Sequence, residues 1–302
     1  MLARMKNVLR TLLLVLLTAL QCHAAAYAVD APAMQFIYNG PESDGDLRYA
    51  YHWRVLKAAL DATSAQWGAY EMRPATYMNE ARQLTEMQSK SGRINTLLLD
   101  STAELQQKLL PVRLPVDKGL LGYRVFLIRE ADQAQFDTVT SLAELKQFRI
   151  GQGEGWSDVQ VLKAAGLNVV TGKSYPGLFG MLENGRFDVF SRGVTEVMEE
   201  LAQFGSKHPK LAIEKTLMLY YPMPVYFWFP RGEAGALRAK RIDEGMRIIL
   251  ANGRLNELFD AEFGEVVTKL NLKHRRLLRI GNPFLPFGPA FADSKWLFNP
   301  LQ

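Results

Sequence analysis

Residues 151–166 read GQGEGWSDVQVLKAAG. A short strand over 149–151 runs into this glycine-rich loop, and apolar residues at helical spacing then follow over 156–165 until Gly166 stops them. A strand feeding through glycines into a helix is the repeating unit of an α/β fold. Free backbone N–H groups at such a helix start favour an anion, and Glu154, Trp156 and Ser157 stand where a ligand would be touched. The dinucleotide fingerprint fails here, because its third glycine position holds the bulky Trp156. A tight β-α turn that binds nothing is the plain alternative.

The same alternation extends outward from this segment in both directions. Strands are expected at 34–38, 70–72, 94–99, 123–128, 169–170 and 187–190, with helices between them, so the pattern predicts an α/β fold with a largely parallel sheet. Asp44 and Asp46 are placed to cap a helix carrying Leu47, Tyr51, Val55 and Ala59 on one face. Ser141 and Glu144 form a capping box. Two stretches break the alternation: 110–122, with two prolines and two glycines, and the apolar run 217–229, interrupted by Pro222 and Pro224. Both read as crossovers between lobes, near 119–123 and 220–224. The expected division is 29–121 with 223–302 as a discontinuous first lobe, its Pro- and Phe-rich tail docked on it, and 122–222 as the second.

A second informative segment is ENGRFDVFSRGVTEVMEEL, residues 183–201. A strand ends at Ser191-Arg192-Gly193 and a helix follows with Glu196 in its first turn, which puts Arg192 at the carboxyl end of a strand, where open α/β sheets bind ligands. Arginine offers a planar fork for a carboxylate or phosphate. An Arg192–Glu196 ion pair at i, i+4 is the structural alternative. Asn39, Asp100, Ser101 and Thr102 follow first-lobe strands and would face the same cleft, although such residues are also ordinary turn formers. Tyr123, Tyr220, Tyr221 and Tyr226 lie near the crossovers, with Tyr123 and Tyr221 the candidates for the cleft floor.

The chain has 302 residues, 48% hydrophobic and 22% charged, with a net charge of +5. That composition excludes a disordered tail, a collagen-like fibre and a polytopic membrane protein. Residues 1–28 read as a secretory signal, with basic Arg4, Lys6 and Arg10, an apolar run over 12–20, and cleavage expected after Ala24, Ala26 or Ala28. Nine apolar residues are too few to span a bilayer, which needs roughly 20. Without the segment, 33 Lys and Arg stand against 31 Asp and Glu, a net of +2, so the basic balance gives no argument for a nucleic-acid partner. Cys22, the only cysteine, is removed with it, as suits an oxidising periplasm.

Signatures of catalysis are sparse. There is no Gly-x-Ser-x-Gly elbow, no His-Glu-x-x-His and no cysteine nucleophile, and neither a metal nor a cofactor is expected. His52, beside Trp53, and His274, in a basic run, read as surface or packing residues.

Over about residues 34–265 the chain resembles the periplasmic solute-binding proteins of the type 2 class, specifically extracellular solute-binding protein family 3. The motifs that carry the likeness are the turn 151–166, GRFDVFSRGVTE (185–196) in the place of the family's GxxDAxxxD strand, and LRAKRIDEGMRIILANGRLNELFDAEFG (237–264), which matches its closing helix, Asn-Gly, helix passage. The resemblance implies two α/β lobes joined by two crossovers, with a small ligand captured between them by hinge closure. Two departures bear on the ligand. In STAEL (101–105) Leu105 stands where the family places an arginine for an α-carboxylate, and Arg192-Gly193 stands where it places an aspartate for the ammonium. These departures favour an anionic or zwitterionic, amino-acid-like metabolite, with Arg113, Lys118 and Arg124 as spare cations. The expected partners are an inner-membrane permease for import or a membrane sensor, and the expected state is a monomer. A periplasmic lyase or dehydratase on the same fold, with Glu154 or Glu196 as its acid or base, is the alternative.

Overall fold

The computed structural model describes residues 33–42, 49–285 and 296–301. The secretory segment, Asp44, Asp46 and Leu47 lie outside the described residues.

The first lobe opens with β1 (Met34–Tyr38), α1 (Ala50–Trp67), β2 (Tyr70–Pro74), α2 (Glu80–Ser89), β3 (Leu97–Asp100), α3 (Ala103–Lys108) and β4 (Leu109–Val112). The chain crosses into β5 (Tyr123–Arg129), α4 (Gln133–Asp137), α5 (Leu142–Leu145), β6 (Arg149–Gly153), α6 (Ser157–Ala164), β7 (Asn168–Gly172), α7 (Tyr175–Glu183), β8 (Val189–Gly193), α8 (Val197–Phe204), β9 (Leu211–Ile213) and β10 (Leu217–Tyr220). It returns through β11 (Val225–Pro230), α9 (Glu233–Ala251) and α10 (Arg254–Lys269), and then forms β12 (Arg276–Arg279).

The second-lobe sheet has the order β12-β10-β5-β8-β6-β7, with β9 also paired to β5, and the first lobe holds β3-β11-β4 and a β1-β2 pair. The second-lobe sheet is mixed and the β3-β11-β4 sheet is wholly antiparallel, which corrects the largely parallel sheet expected from the alternation. The reason is the crossovers: β5 and β11 each enter a lobe from the other one, and each runs antiparallel to its flanking strands, β5 against β8 and β10, β11 against β3 and β4. The ordinary βα steps keep β6 parallel to β7 and β8. The connecting stretch at 110–122 is also more ordered than its prolines suggest, because Leu109–Val112 pairs with β11.

Between β1 and β3 a side chain continues the pairing. Asn95 accepts the Ile37 N–H at 2.9 Å and donates to the Gln35 carbonyl at 3.0 Å, so its amide satisfies the β1 edge where the next strand has not yet begun. On the outer side α1 and α9 pack closely, with Val55, Leu56, Ala59 and Leu60 of α1 and Ile242, Met246 and Ile249 of α9 all buried. Gly245 permits this contact: a Cβ there would lie 2.2 Å from the Ala59 carbonyl oxygen, and that atom belongs to helix backbone.

The two crossovers touch. The Tyr221 N–H donates to the Gly122 carbonyl at 3.2 Å, and the Tyr123 and Tyr220 rings lie 4.5 Å apart. Buried Asp117 accepts the N–H groups of Gly119 and Leu121, at 3.0 and 2.8 Å, which fixes the first crossover as a tight turn. Burial pushes the Asp117 carboxyl up to about 6 against those bonds.

The tail differs from the sequence reading, which assigned all of 223–302 to the first lobe. Arg276–Arg279 pairs in parallel register with β10 and belongs to the second sheet, because the edge of β10 is open to it there. Gly245→Ala is expected to lower unfolding free energy by about 1–3 kcal/mol through overpacking. Urea denaturation of the two proteins measures it, and an unchanged midpoint would show that α1 and α9 separate freely.

Candidate ligand site between the lobes

The loop that opened the sequence reading is built around aromatic rings. A Cβ on Gly151 would lie 2.3 Å from the Phe187 ring, and one on Gly153 would lie 2.2 Å from the Trp156 indole. The glycines therefore seat side chains of the chain itself, and Trp156 folds back over the loop. Ser157 and Asp158 open α6, with Asp158 buried in its first turn. A carboxylate in that position interacts favourably with the helix start.

A second carboxylate approaches from the other lobe. Asp100 lies at the end of β3, within electrostatic reach of Asp158 and Arg124. Burial raises the Asp100 carboxyl, as does the charge of Asp158, while the nearby Ser157 hydroxyl and Arg124 oppose the rise. The anion expected at this helix start is thus supplied by the chain's own aspartates.

Arg124, two per cent exposed on β5, is the centre of the arrangement. Its Nη2 lies 2.8 Å from Asp158 Oδ1, its Nη1 lies 3.8 Å from Glu196 Oε2, and its guanidinium sits 5.2 Å from the Tyr221 ring centroid. Its Nε is buried and has no hydrogen-bond partner among the described residues. Tyr221, fully buried, donates its hydroxyl to Asp158, and burial pushes its phenol well above the ordinary value.

Arg192 lies on the opposite face of the same sheet, as the register of Val125 against Arg192 and Arg124 against Gly193 requires. Its fork is filled by Glu200: Nε donates at 2.8 and 3.0 Å and Nη2 at 2.6 Å. Trp156 and Phe190 rings lie 4.8 and 4.9 Å from its guanidinium, and the Tyr175 hydroxyl donates to Glu200 at 2.8 Å. Burial opposes the Arg192 charge, but Glu196 and Glu200 more than offset this and raise its pKa. Its Nη2 also lies 3.1 Å from Glu196 Oε2, which in turn accepts the Gly193 N–H at 3.0 Å. Glu196 therefore bridges two guanidiniums at the carboxyl edge of β8.

The sequence candidates divide accordingly. Asp100, Ser157, Glu196, Tyr221 and Arg192 are brought to one region, and Trp156 lies against Arg192. Asn39 has another task, accepting the Met78 N–H at 2.8 Å and donating to the Met78 carbonyl at 3.0 Å. Ser101 is buried and accepts from Gln106 at 3.0 Å, Tyr123 packs on Tyr220, and Glu154 is exposed on the loop. Arg124 and Asp158 were visible only as a spare cation and a first-turn residue. The signal that singles them out is position: Arg124 follows the first crossover immediately, and Asp158 follows the glycine loop.

His52, expected as a surface or packing residue, is half-buried, with its ring 5.2 Å from that of Tyr51. Its Nδ1 is buried and has no partner among the described residues, and burial, then the charge of Arg54, lowers its pKa to about 4 despite the opposing charge of Glu196 on the second lobe.

No protein-family model matches the chain, and no curated protein matches it in sequence. Solved structures do match. The probable amino-acid ABC transporter extracellular-binding protein of Bacillus subtilis is 16% identical with a TM-score of 0.56, over 77% of this chain and 99% of that one. An ancestral arginine-binding protein bound to arginine is 16% identical with a TM-score of 0.52, over 78% and 99%. A histidine kinase sensor domain with similarity to periplasmic binding proteins is 13% identical with a TM-score of 0.53, over 77% and 97%. At these identities the likeness is one of fold, and the chain has the two-lobe, periplasmic-binding-protein-like α/β fold. About a fifth of this chain has no counterpart in those neighbours. The lyase alternative gains nothing from them or from the site, where Glu154 is exposed and Glu196 is held by Arg192 and the Gly193 N–H.

Two measurements follow from this geometry. Glu200→Gln removes the closer of the two carboxylates beside the buried Arg192 guanidinium, leaving Glu196 at 3.1 Å, and is expected to cost about 1–3 kcal/mol of stability; a change within half a kcal/mol in chemical denaturation would show the pair to be solvated. The His52 ring takes a proton less readily folded than unfolded, so its contribution is full above its unfolded value of 6.5 and is lost as pH falls toward about 4. Thermal unfolding across that window should therefore fall less steeply for His52→Gln than for the parent, and parallel profiles would refute the burial of the ring.

Proposed function

We propose that the chain is an exported solute-binding protein that captures a small zwitterionic, amino-acid-like metabolite between its lobes by hinge closure. The carrying observation is the charge balance where the lobes meet. Among the described residues, Asp100, Asp158, Glu196 and Glu200 gather around two guanidiniums, Arg124 and Arg192. Such a surplus favours an ammonium group on the ligand, near Asp100 and Glu196, over the purely anionic ligand that Arg192 alone would suggest. The unpartnered Arg124 Nε is the available donor for the ligand's carboxylate.

In this reading lobe 1 comprises 29–121 with 223–275, lobe 2 comprises 122–222 with Arg276–Arg279, and the crossovers are the hinge. Asp100, Ser157, Arg124, Asp158 and Glu196 contact the ligand, while Arg192 holds Glu196 in place through its own pairing with Glu200. The neighbours that bind arginine or belong to an amino-acid transporter support an amino-acid-like ligand, and the sensor-domain neighbour supports presentation to a membrane sensor as much as import. The protein works as a periplasmic monomer with either partner.

A thermal-shift screen against amino acids, diamines, dicarboxylates and phosphate esters tests this, because a ligand that binds only the folded state raises its apparent stability. Stabilisation by one or more amine-bearing zwitterions is expected, with affinity falling at least about tenfold in Asp100→Asn, since a charged pairing is worth more than about 1.4 kcal/mol. Stabilisation by dicarboxylates or phosphate esters alone would overturn the ammonium assignment, and a flat response to every class would overturn the binding reading.

A further inference from the structure

Gln152 on β6 and Ser191 on β8 are fully buried, yet Gln152 Oε1 and Ser191 Oγ have no hydrogen-bond partner among the described residues. The two stand side by side. β6 and β8 run parallel with Ile150 against Val189 and Gly151 against Phe190, so the register continues with Gln152 against Ser191, and the Gln152 side-chain nitrogen donates to the Ser191 carbonyl at 3.1 Å. A carbonyl can only accept, so this bond fixes which end of the amide is the nitrogen and leaves its oxygen as the free atom.

Both side chains lie on the face of the sheet that carries α6. Gly151 and Gly153 face Phe187 and Trp156 on the other side, so by alternation Gln152 points with Ile150, and Ser191 points with Val189. Ile150 and Val189 belong to the apolar cluster that includes Val161 and Leu162 of α6. Phe126 of β5 is in the same cluster and stands against Ser191, so Arg124, two residues earlier, shares the face. Arg124 supplies a third unpartnered atom. Its terminal nitrogens face Asp158, Glu196 and the Met223 sulfur, whereas Nε, the guanidinium nitrogen nearest the strand, is buried and unpaired among the described residues.

The face is therefore graded. It is apolar at Ile128, Phe126, Ile150 and Val189, and it turns polar at the edge where β5 begins and β6 and β8 end, the edge that Asp100 of the first lobe approaches. A buried polar group left unpaired costs free energy, and native interiors hold few of them. Here one donor, one acceptor and one hydroxyl able to act as both share a single edge.

We propose that Gln152 and Ser191 are specificity-determining residues of the ligand site, and that they bind an uncharged hydroxyl or carboxamide which the ligand carries beside the carboxylate held by Arg124. This rests on the ligand-cleft reading above. Neither side chain is charged and both are buried, which disfavours a charged guest. Gln152 Oε1 requires a donor hydrogen, which an aliphatic side chain lacks. A ligand carboxylate that draws the Arg124 guanidinium from Asp158 opens the way to them. A site whose buried polar groups bond a hydroxyl or an amide rejects the analogue without it, because those groups are then left unpaired.

The test compares amino acids of nearly equal shape. Isothermal titration calorimetry on the full chain measures Kd for threonine with valine, asparagine with leucine, and glutamine with norleucine. In the unaltered protein the hydroxyl or carboxamide member of at least one pair is expected to bind at least about tenfold more tightly than its apolar partner, and Gln152→Leu or Ser191→Ala should lower that ratio by at least about threefold. A ratio under about tenfold in every pair would overturn the inference, and that comparison needs no variant to fold. A ratio that neither variant lowers would also overturn it, and would assign the two groups to an internal water. Binding confined to amino acids outside these pairs overturns it while leaving the cleft reading intact. Failure of the cleft reading shows separately, as an absence of binding by every amino acid in the screen.

Discussion

The pairing of Arg124 with Asp158 is the contact on which the rest of the arrangement depends. Arg124 is the second residue of β5, immediately past the first crossover, and it is buried, so its charge must be answered locally. Asp158 answers it from the first turn of α6, Tyr221 from the second crossover bonds the same carboxylate, and Glu196 approaches from the start of α8. One guanidinium therefore joins a crossover strand, the other crossover and two helix starts. Replacing such a buried pair with apolar groups is often neutral for stability, so its presence argues for position more than for strength.

Much of the architecture is legible in the sequence because it follows from local rules. The βα alternation, the proline-marked crossovers and the Asn-Gly passage between α9 and α10 all depend on neighbours close in the chain. Strand direction is not local. Nothing in residues 123–129 or 225–230 records that the chain has just come from the other lobe, and for that reason the antiparallel pairing of β5 and β11 stays hidden. The same holds for β12, whose four residues take their place only because β10 leaves an edge open.

The site was half legible for a related reason. Arg192 is correctly placed at a strand end, but its partner Glu200 is eight residues away, across a turn and into α8, a spacing that no helical i, i+4 rule finds. Asn39 looks like a ligand residue and is a bracket for Met78, because a side-chain amide satisfies a backbone N–H and C=O as readily as it does a ligand. Glycines 151 and 153 look like a cradle for an anion and are seats for Phe187 and Trp156. In each case the residue type predicts the chemistry and leaves the partner open.

The partners in turn change the meaning of charge in this chain. Three of the five net positive charges lie in residues 1–28, and the one arginine the sequence marks for an anion already has two glutamates. What distinguishes the meeting edge of the lobes is a gathering of buried and half-buried carboxylates, visible in Asp100, which burial and then the charge of Asp158 raise. A buried site relieves such an imbalance either by holding protons or by admitting a cationic group, and only the second route gains from hinge closure, since closure is what removes competing water. For the ammonium-bearing ligand proposed above, the same low dielectric that raises Asp100 would strengthen the attraction to a cation that comes to rest beside it.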